Sequence, residues 1–206
     1  MNKKLILSKK GQQLIKYYKE MITDGYADLF NLQFFKEIIK EKLTYFNIEN
    51  ILDYGCGKSD WYSKSFDKER NLSAKEFFNL KNINLYEPSL DIDSRKKSDC
   101  VICFDVLEHI FIGDVKNVLT DIFEHANKLV ILQIACYSAA AKLPNGENAH
   151  ITLRHPLWWK GMLDSFSIDY KDISIVLLCS EKYKKILEFN IWSGNDWIRD
   201  NKFIIG

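Results

Sequence analysis

Asp53-Tyr54-Gly55-Cys56-Gly57 follows directly on the apolar pair Ile51-Leu52. Two glycines in such a turn let backbone approach a ligand closely, and free amides there can point at a carboxylate. Some thirty residues on, Glu87 closes the run Ile83-Asn84-Leu85-Tyr86. A carboxylate at that point suits a ribose diol, which offers two hydroxyl donors. A third group, Asp105-Val106-Leu107-Glu108-His109, follows Val101 to Phe104. A fourth, Asn148-Ala149-His150-Ile151-Thr152, precedes His155-Pro156-Leu157-Trp158-Trp159. Histidine titrates near neutrality, so His150 can take a proton from an acceptor hydroxyl; the alternative is that it only hydrogen-bonds the loop backbone.

Two other glycine-loop chemistries fail on spacing. Gly57-Lys58-Ser59 has the tail of a phosphate-binding loop, but the glycine required five positions earlier is Leu52. The dinucleotide pattern needs glycine at position 60, where Asp60 would set a negative charge near a pyrophosphate. A zwitterionic ligand with a ribose and no phosphate fits what remains.

These groups must be positioned by strands and helices. Leu14, Ile15, Tyr18, Met21 and Ile22 recur at helical spacing before a turn at Asp24-Gly25, and Phe35 to Phe46 repeats the pattern, which predicts N-terminal covering helices over about 11–46. Ile51 to Tyr54, Ile83 to Pro88 and Val101 to Phe104 read as buried parallel strands, and residues 60–82 give no clear pattern. Asp114 reads as the N-cap of a helix carrying Val115, Val118, Leu119, Ile122 and Phe123, with His125 on its exposed side; the strand Leu129 to Ala135 follows. A helix from Pro156 to Phe166, entered through His155, leads to Ile173–Cys179 and Lys185–Trp192, read as an antiparallel hairpin at the sheet edge. Strand, helix, strand in this order predicts an α/β chain with a doubly wound, mostly parallel sheet, in which ligands sit at the carboxyl ends of the strands.

With 206 residues and 47% hydrophobic content, the chain reads as one domain over 1–206. Lys and Arg total 29 against 28 for Asp and Glu, so nothing in the balance favours nucleic acid or an acidic membrane. No apolar run approaches the roughly 20 residues of a spanning helix or the core of a signal peptide, and a cytoplasmic location is expected. Cys100 and Cys103 form a lone pair whose side chains point to opposite faces of a strand, and no second pair completes a zinc site; free thiols and no metal are expected.

Over roughly residues 50–135 the sequence resembles the class I S-adenosylmethionine-dependent methyltransferases. The resemblance is carried by Ile51-Leu52-Asp53-Tyr54-Gly55-Cys56-Gly57, by Glu87, and by Phe104-Asp105-Val106-Leu107-Glu108-His109-Ile110. It implies a Rossmann-like methyltransferase sheet with S-adenosylmethionine as cofactor. Asp53, Tyr54, Gly55, Cys56 and Gly57 would cradle its methionine part, Glu87 its ribose, and Asp105, Val106 and Leu107 the region near the methyl group. His109 sits where the family often has histidine, for packing, a hydrogen bond near the cofactor, or catalysis. The segment with Asn148, His150, Thr152, Trp158 and Trp159 looks like the acceptor side, with one tryptophan free to face a sugar or ring and both being core as the alternative.

The resemblance has one departure: only eleven residues separate Glu87 from Asp99, where the family fits a helix, a further strand and the adenine-recognising residue. The sheet is therefore expected to be short by one strand, leaving Asp91, Asp93 or Asp105 for the adenine contact. The activity expected is methylation of a small molecule or glycan at oxygen. Methylation at nitrogen of an amine or protein, and a non-catalytic binding module, stand as alternatives. The Asn/Asp-Pro-Pro-aromatic tetrad of base methylation is absent, since Glu87-Pro88-Ser89 follows the wrong strand and lacks the aromatic. The acceptor and the oligomeric state are left open.

Overall fold

The computed structural model describes residues 5–23, 31–181, 185–191 and 199–205. Its strands are β1 (Asn50–Tyr54), β2 (Asn82–Glu87), β3 (Ile92–Asp93), β4 (Ser98–Phe104), β5 (Ala126–Ala135), β6 (Ser174–Ser180), β7 (Lys185–Ile191) and β8 (Arg199–Ile205). They form one sheet in the order β3-β2-β1-β4-β5-β6-β7-β8. The five strands from β2 to β6 along that order run parallel, while β3, β7 and β8 pair antiparallel. This α/β sheet with its antiparallel C-terminal end is compatible with a Rossmann-like fold.

Alternation along each strand divides the core into two layers. Leu52, Val101, Val130 and Leu132 face one side, where α4 (Val115–Glu124) and α5 (Pro156–Asp169) cover them with Val118, Leu119, Trp159 and Leu163. Ile51, Ile102, Leu129 and Ile131 face the other, under α2 (Lys36–Tyr45) and the single turn α3 (Ala74–Phe77). Cys100 and Cys103 fall on opposite layers, as a two-residue strand period requires. Helices thus lie on both faces, as in a doubly wound sheet. From β1 the chain moves outward to β2 and then returns to β4 on the other side of β1. The carboxyl ends of these strands flank the point where the strand order reverses, which is where such sheets leave a crevice.

The remaining helix, α1 (Lys9–Thr23), lies across these strand ends instead of packing flat on the sheet. Leu14 on its inner side joins Leu143 and Ala149 of the loop after β5 in a small separate cluster. The turn expected at Asp24-Gly25 and the predicted strand end at Trp192 lie outside the described residues.

Several sequence expectations change here. The hairpin β6-β7 is not the edge of the sheet, because β8 pairs along the whole of β7. Asp114 stands at the N-cap position of α4 but makes no side-chain cap bond there; its carboxylate accepts the backbone N–H and the hydroxyl of Ser8 at 2.8 and 2.7 Å instead. His125 is buried, with Nδ1 2.7 Å from the Asp121 carbonyl at the end of α4. The unpatterned stretch 60–82 contains α3, started by a reciprocal capping box between Ser73 and Glu76. Between Glu87 and β4 no further parallel strand occurs, in line with the short spacing to Asp99, but a 3-10 turn and the two-residue antiparallel β3, not expected from the sequence, occupy the sheet edge.

Candidate functional site

A cavity of about 140 Å³ opens at the carboxyl ends of β1, β2 and β4. Its floor is Tyr54, Gly55 and Gly57 after β1, Glu87 after β2, and Asp105 and Val106 after β4. Leu14, Ile15 and Tyr18 of α1 roof it, and His109 forms part of its wall. Three stretches separated by up to about fifty residues in sequence therefore meet in one place.

The turn after β1 is held by close packing. Gly55 has φ +78°, and a Cβ there would lie 2.3 Å from Val106 Cγ2. Only glycine allows this approach without strain. The amides of the turn are engaged: Gly55 and Cys56 N–H both donate to the Tyr86 carbonyl, at 2.7 and 3.1 Å, and Gly57 N–H donates to Glu87 Oε2 at 3.1 Å. The expectation of free amides facing a ligand carboxylate is thus not met, because β2 lies close enough to take them. Glu87 Oε1 accepts the Ser89 N–H at 3.0 Å and the Ser89 hydroxyl.

Not every predicted residue reaches the cavity. Asp53 is 4% exposed and faces the opposite layer, where Trp61 Nε1 donates to its Oδ2 at 2.8 Å. Burial raises its carboxyl to about 7, against the opposing hydrogen bond from Trp61. Cys56 is buried beside the turn and Leu107 is fully buried in the core; neither lines the cavity. Burial also pushes the Cys56 thiol well up, so it is a neutral thiol. Of the three candidates for adenine recognition only Asp105 lines the cavity. Asp91 is tied to Lys19 and Asp93 is held by Arg95 through two contacts at 2.9 and 2.6 Å.

A polar network backs the cavity. Tyr54 donates to Asp121 Oδ2 at 2.8 Å, Arg95 Nη1 reaches the same oxygen at 2.7 Å, and the Arg95 guanidinium lies 4.2 Å from the Tyr86 ring centre. The short segment between Glu87 and β4 thereby contributes a buried arginine that links Tyr54, through Asp121, with Tyr86.

None of the residues expected on an acceptor side lines the cavity, but His150 falls beside His109, which does. His150 sits in T-shaped contact with it, ring centres 4.8 Å apart, and its Nδ1 lies 2.5 Å from the Tyr137 carbonyl. Asn148 and Thr152 are spent on the backbone. Asn148 exchanges two hydrogen bonds with Ala139 and accepts the His150 N–H at 3.0 Å, while Thr152 donates to the Ile110 carbonyl at 2.6 Å. These bonds pin the loop against the Leu107–His109 turn and bring His150 next to a residue 41 positions earlier. Trp159 is fully buried in the core and Trp158 is half-buried against it, beneath Arg154.

Comparison with protein-family models, curated proteins and solved structures gives no match to this chain. The functional reading rests on geometry and chemistry.

The residue that sequence reasoning passed over is Glu108. It is 0% exposed, and its Oε1 accepts the Ala135 N–H at 2.6 Å. Burial, and after it the neighbouring Asp105 carboxylate, holds Glu108 well above the usual range, and burial raises Asp105 as well. His109 is pushed down to about 3, mainly by burial and then by His150, so its imidazole is neutral. Glu108 carried no signal in the sequence beyond its place between Asp105 and His109.

Proposed function

We propose that this chain is an S-adenosylmethionine-dependent methyltransferase acting at oxygen on a small molecule or glycan. The observation that carries the reading is the convergence of Gly55, Gly57, Glu87, Asp105 and Val106 on one cavity at the strand ends. These come from the three separated stretches that the family resemblance assigns to a single ligand. The donor chemistry fits: Glu87 offers carboxylate oxygens to ribose hydroxyls, and Gly55 and Gly57 leave room for close approach. The amides of the turn give less support, since all three already have partners within the chain.

Bound there, S-adenosylmethionine supplies an electrophilic methyl carbon. Glu87 would hold its ribose, the glycine turn its methionine part, and Asp105 and Val106 the flank towards β4. α1 lines the cavity with Leu14, Ile15 and Tyr18. Alignment of the acceptor oxygen accounts for much of the rate of such a displacement. The Tyr137 carbonyl can only accept, so it fixes the His150 proton on Nδ1 and leaves Nε2 as the basic nitrogen for an acceptor hydroxyl.

The test is a calorimetric titration of the protein with S-adenosylmethionine and S-adenosylhomocysteine, with Glu87→Ala in parallel. Saturable binding that Glu87→Ala weakens supports the reading. Absence of binding to both ligands would overturn it and favour a non-catalytic binding module.

A further inference from the structure

Beside the cavity, Glu108, His109 and His150 each present one potential ligand atom, and these atoms lie within 4.8 Å of one another. We propose that these three side chains form a binding site for a divalent transition-metal ion, with two imidazole nitrogens and one carboxylate oxygen as ligands.

Three observations carry this. First, Glu108 Oε2 is fully buried and has no hydrogen-bond donor, while Oε1 holds the Ala135 amide and the carboxyl also meets that of Asp105. A buried carboxylate oxygen left in this way is costly unless a proton or a cation compensates it. Second, both imidazoles are oriented as metal-ligating histidines are. His109 Nδ1 lies 2.9 Å from the Ala149 carbonyl and His150 Nδ1 lies 2.5 Å from the Tyr137 carbonyl. A carbonyl only accepts, so both protons sit on Nδ1 and both lone pairs on Nε2, the arrangement in which a backbone oxygen sets the tautomer of a ligand histidine. Third, the Tyr18 hydroxyl of α1 donates to the same Ala149 carbonyl at 2.8 Å and its oxygen lies 3.1 Å from His109 Nδ1, where it can accept from the same N–H, so His109 is held from two sides.

The donor set selects the ion. Two imidazoles and one carboxylate suit zinc, iron, cobalt or manganese better than calcium or magnesium, which prefer all-oxygen sites. Ligand atoms around such an ion stand about 3–4 Å apart, given bonds of about 2.1 Å, so the cluster must contract by roughly an ångström. His150 is half-buried, while Glu108 and His109 are more enclosed, so the movement falls to its side chain. The neighbouring Asp105 carboxyl adds a further acidic group beside the ion. Three protein ligands leave at least one position open, and His109 is itself a wall of the cavity, so the open position adjoins it. There the ion would act as a Lewis acid on an oxygen of whatever the cavity holds. An ion on His150 Nε2 takes up the lone pair that would otherwise serve as base, so in the metal-bound chain the ion, not His150, would acidify an acceptor hydroxyl. The site stands on these residues alone and does not require the methyl-transfer reading.

The experiment is metal titration of the full chain after chelator treatment, without any nucleoside present. Co2+ is followed by its visible absorption and Zn2+ by calorimetry. The expected result is one ion per chain, weakened by about tenfold or more in both Glu108→Gln and His150→Ala, as loss of a ligand demands. His150→Ala keeps the test decisive if Glu108→Gln does not fold, because His150 lies in a loop outside the core; circular dichroism verifies its fold. No saturable binding to the parent overturns the proposal, and so does binding that His150→Ala leaves unchanged, which would assign the ion to the thiols.

Discussion

Glu87 Oε2 accepts the backbone N–H of Gly57 at 3.1 Å, so the carboxylate that ends β2 also fastens the turn that ends β1. With Ser89 on its other oxygen, Glu87 closes three hydrogen bonds at the rim of the cavity. Glu87→Ala should lower unfolding free energy by about 1–3 kcal/mol, the usual cost of leaving such donors unsatisfied. Glu87→Gln, whose amide oxygen still accepts, should lose less. Urea denaturation of the two variants checks this, and equal stability of parent and Glu87→Ala would show that the carboxylate does not hold the turn.

Gly55 and Val106 make the second close approach at the rim. Gly55→Ala places a methyl group 2.3 Å from Val106 Cγ2 and also forces a side chain onto φ +78°. Val is stiff about its first torsion and cannot swing away cheaply. The substitution should cost about 1–3 kcal/mol from backbone strain and more from the clash. Val106→Ala should recover the clash but not the strain. A double-mutant cycle by thermal or urea unfolding should therefore show coupling of about 0.5 kcal/mol or more, and simple additivity would refute the contact.

Asp114 latches α1. It accepts the N–H and hydroxyl of Ser8, whose hydroxyl in turn accepts the Gly11 N–H at 3.1 Å, so the carboxylate completes the start of the roofing helix from across the cavity. Gly11 permits this, since a Cβ there would lie 2.2 Å from Asp114 Oδ2. Asp114→Ala should raise amide hydrogen exchange across α1 while leaving the central strands β1, β4 and β5 protected. Uniform loss of protection, or none, would count against a local latch.

Of the parallel strands, β1, β2 and β4 were legible because they end at glycine, proline or aspartate, and β5 and β6 as longer apolar runs buried on both faces. α3 carried a readable signal in Ser73 and Glu76, a capping-box pair three apart that was overshadowed by the charged residues around it. β8 was not readable, since its first half, Arg199 to Lys202, is polar and its pairing depends on β7. That Gly55, Gly57, Glu87 and Asp105 would meet in one cavity was legible from their position at strand ends. Asp53 was misplaced because it lies one residue before Tyr54, and the two-residue period sends neighbours to opposite faces. The cluster of Glu108, His109 and His150 could not be read from the sequence. It exists because Thr152 N–H reaches the Glu108 carbonyl at 2.9 Å and Asn148 folds the loop back, which are tertiary contacts with no local pattern.

Asp53 makes stability depend on pH in an unusual direction. An ordinary paired carboxylate is more acidic in the folded chain and stabilises it as pH rises; Asp53 is less acidic, at about 7 against 3.8, because burial outweighs the Trp61 hydrogen bond. Below pH 4 the acid is neutral in both folded and unfolded chains and its contribution is fully present. Between about 4 and 7 the unfolded chain ionises while the folded chain holds its proton, so folding is progressively disfavoured. Above 7 the loss levels off, at up to about 4 kcal/mol for a shift of this size. Asp53→Asn keeps an oxygen to accept from Trp61 Nε1 and cannot ionise. Its unfolding free energy should match that of the parent near pH 4, fall less steeply between 4 and 7, and exceed it at pH 8. Asp105 and Glu108 act in the same sense in both proteins, so the difference between the two pH profiles isolates Asp53. Parallel profiles from pH 4 to 8 would mean that the folded chain carries Asp53 ionised against Trp61.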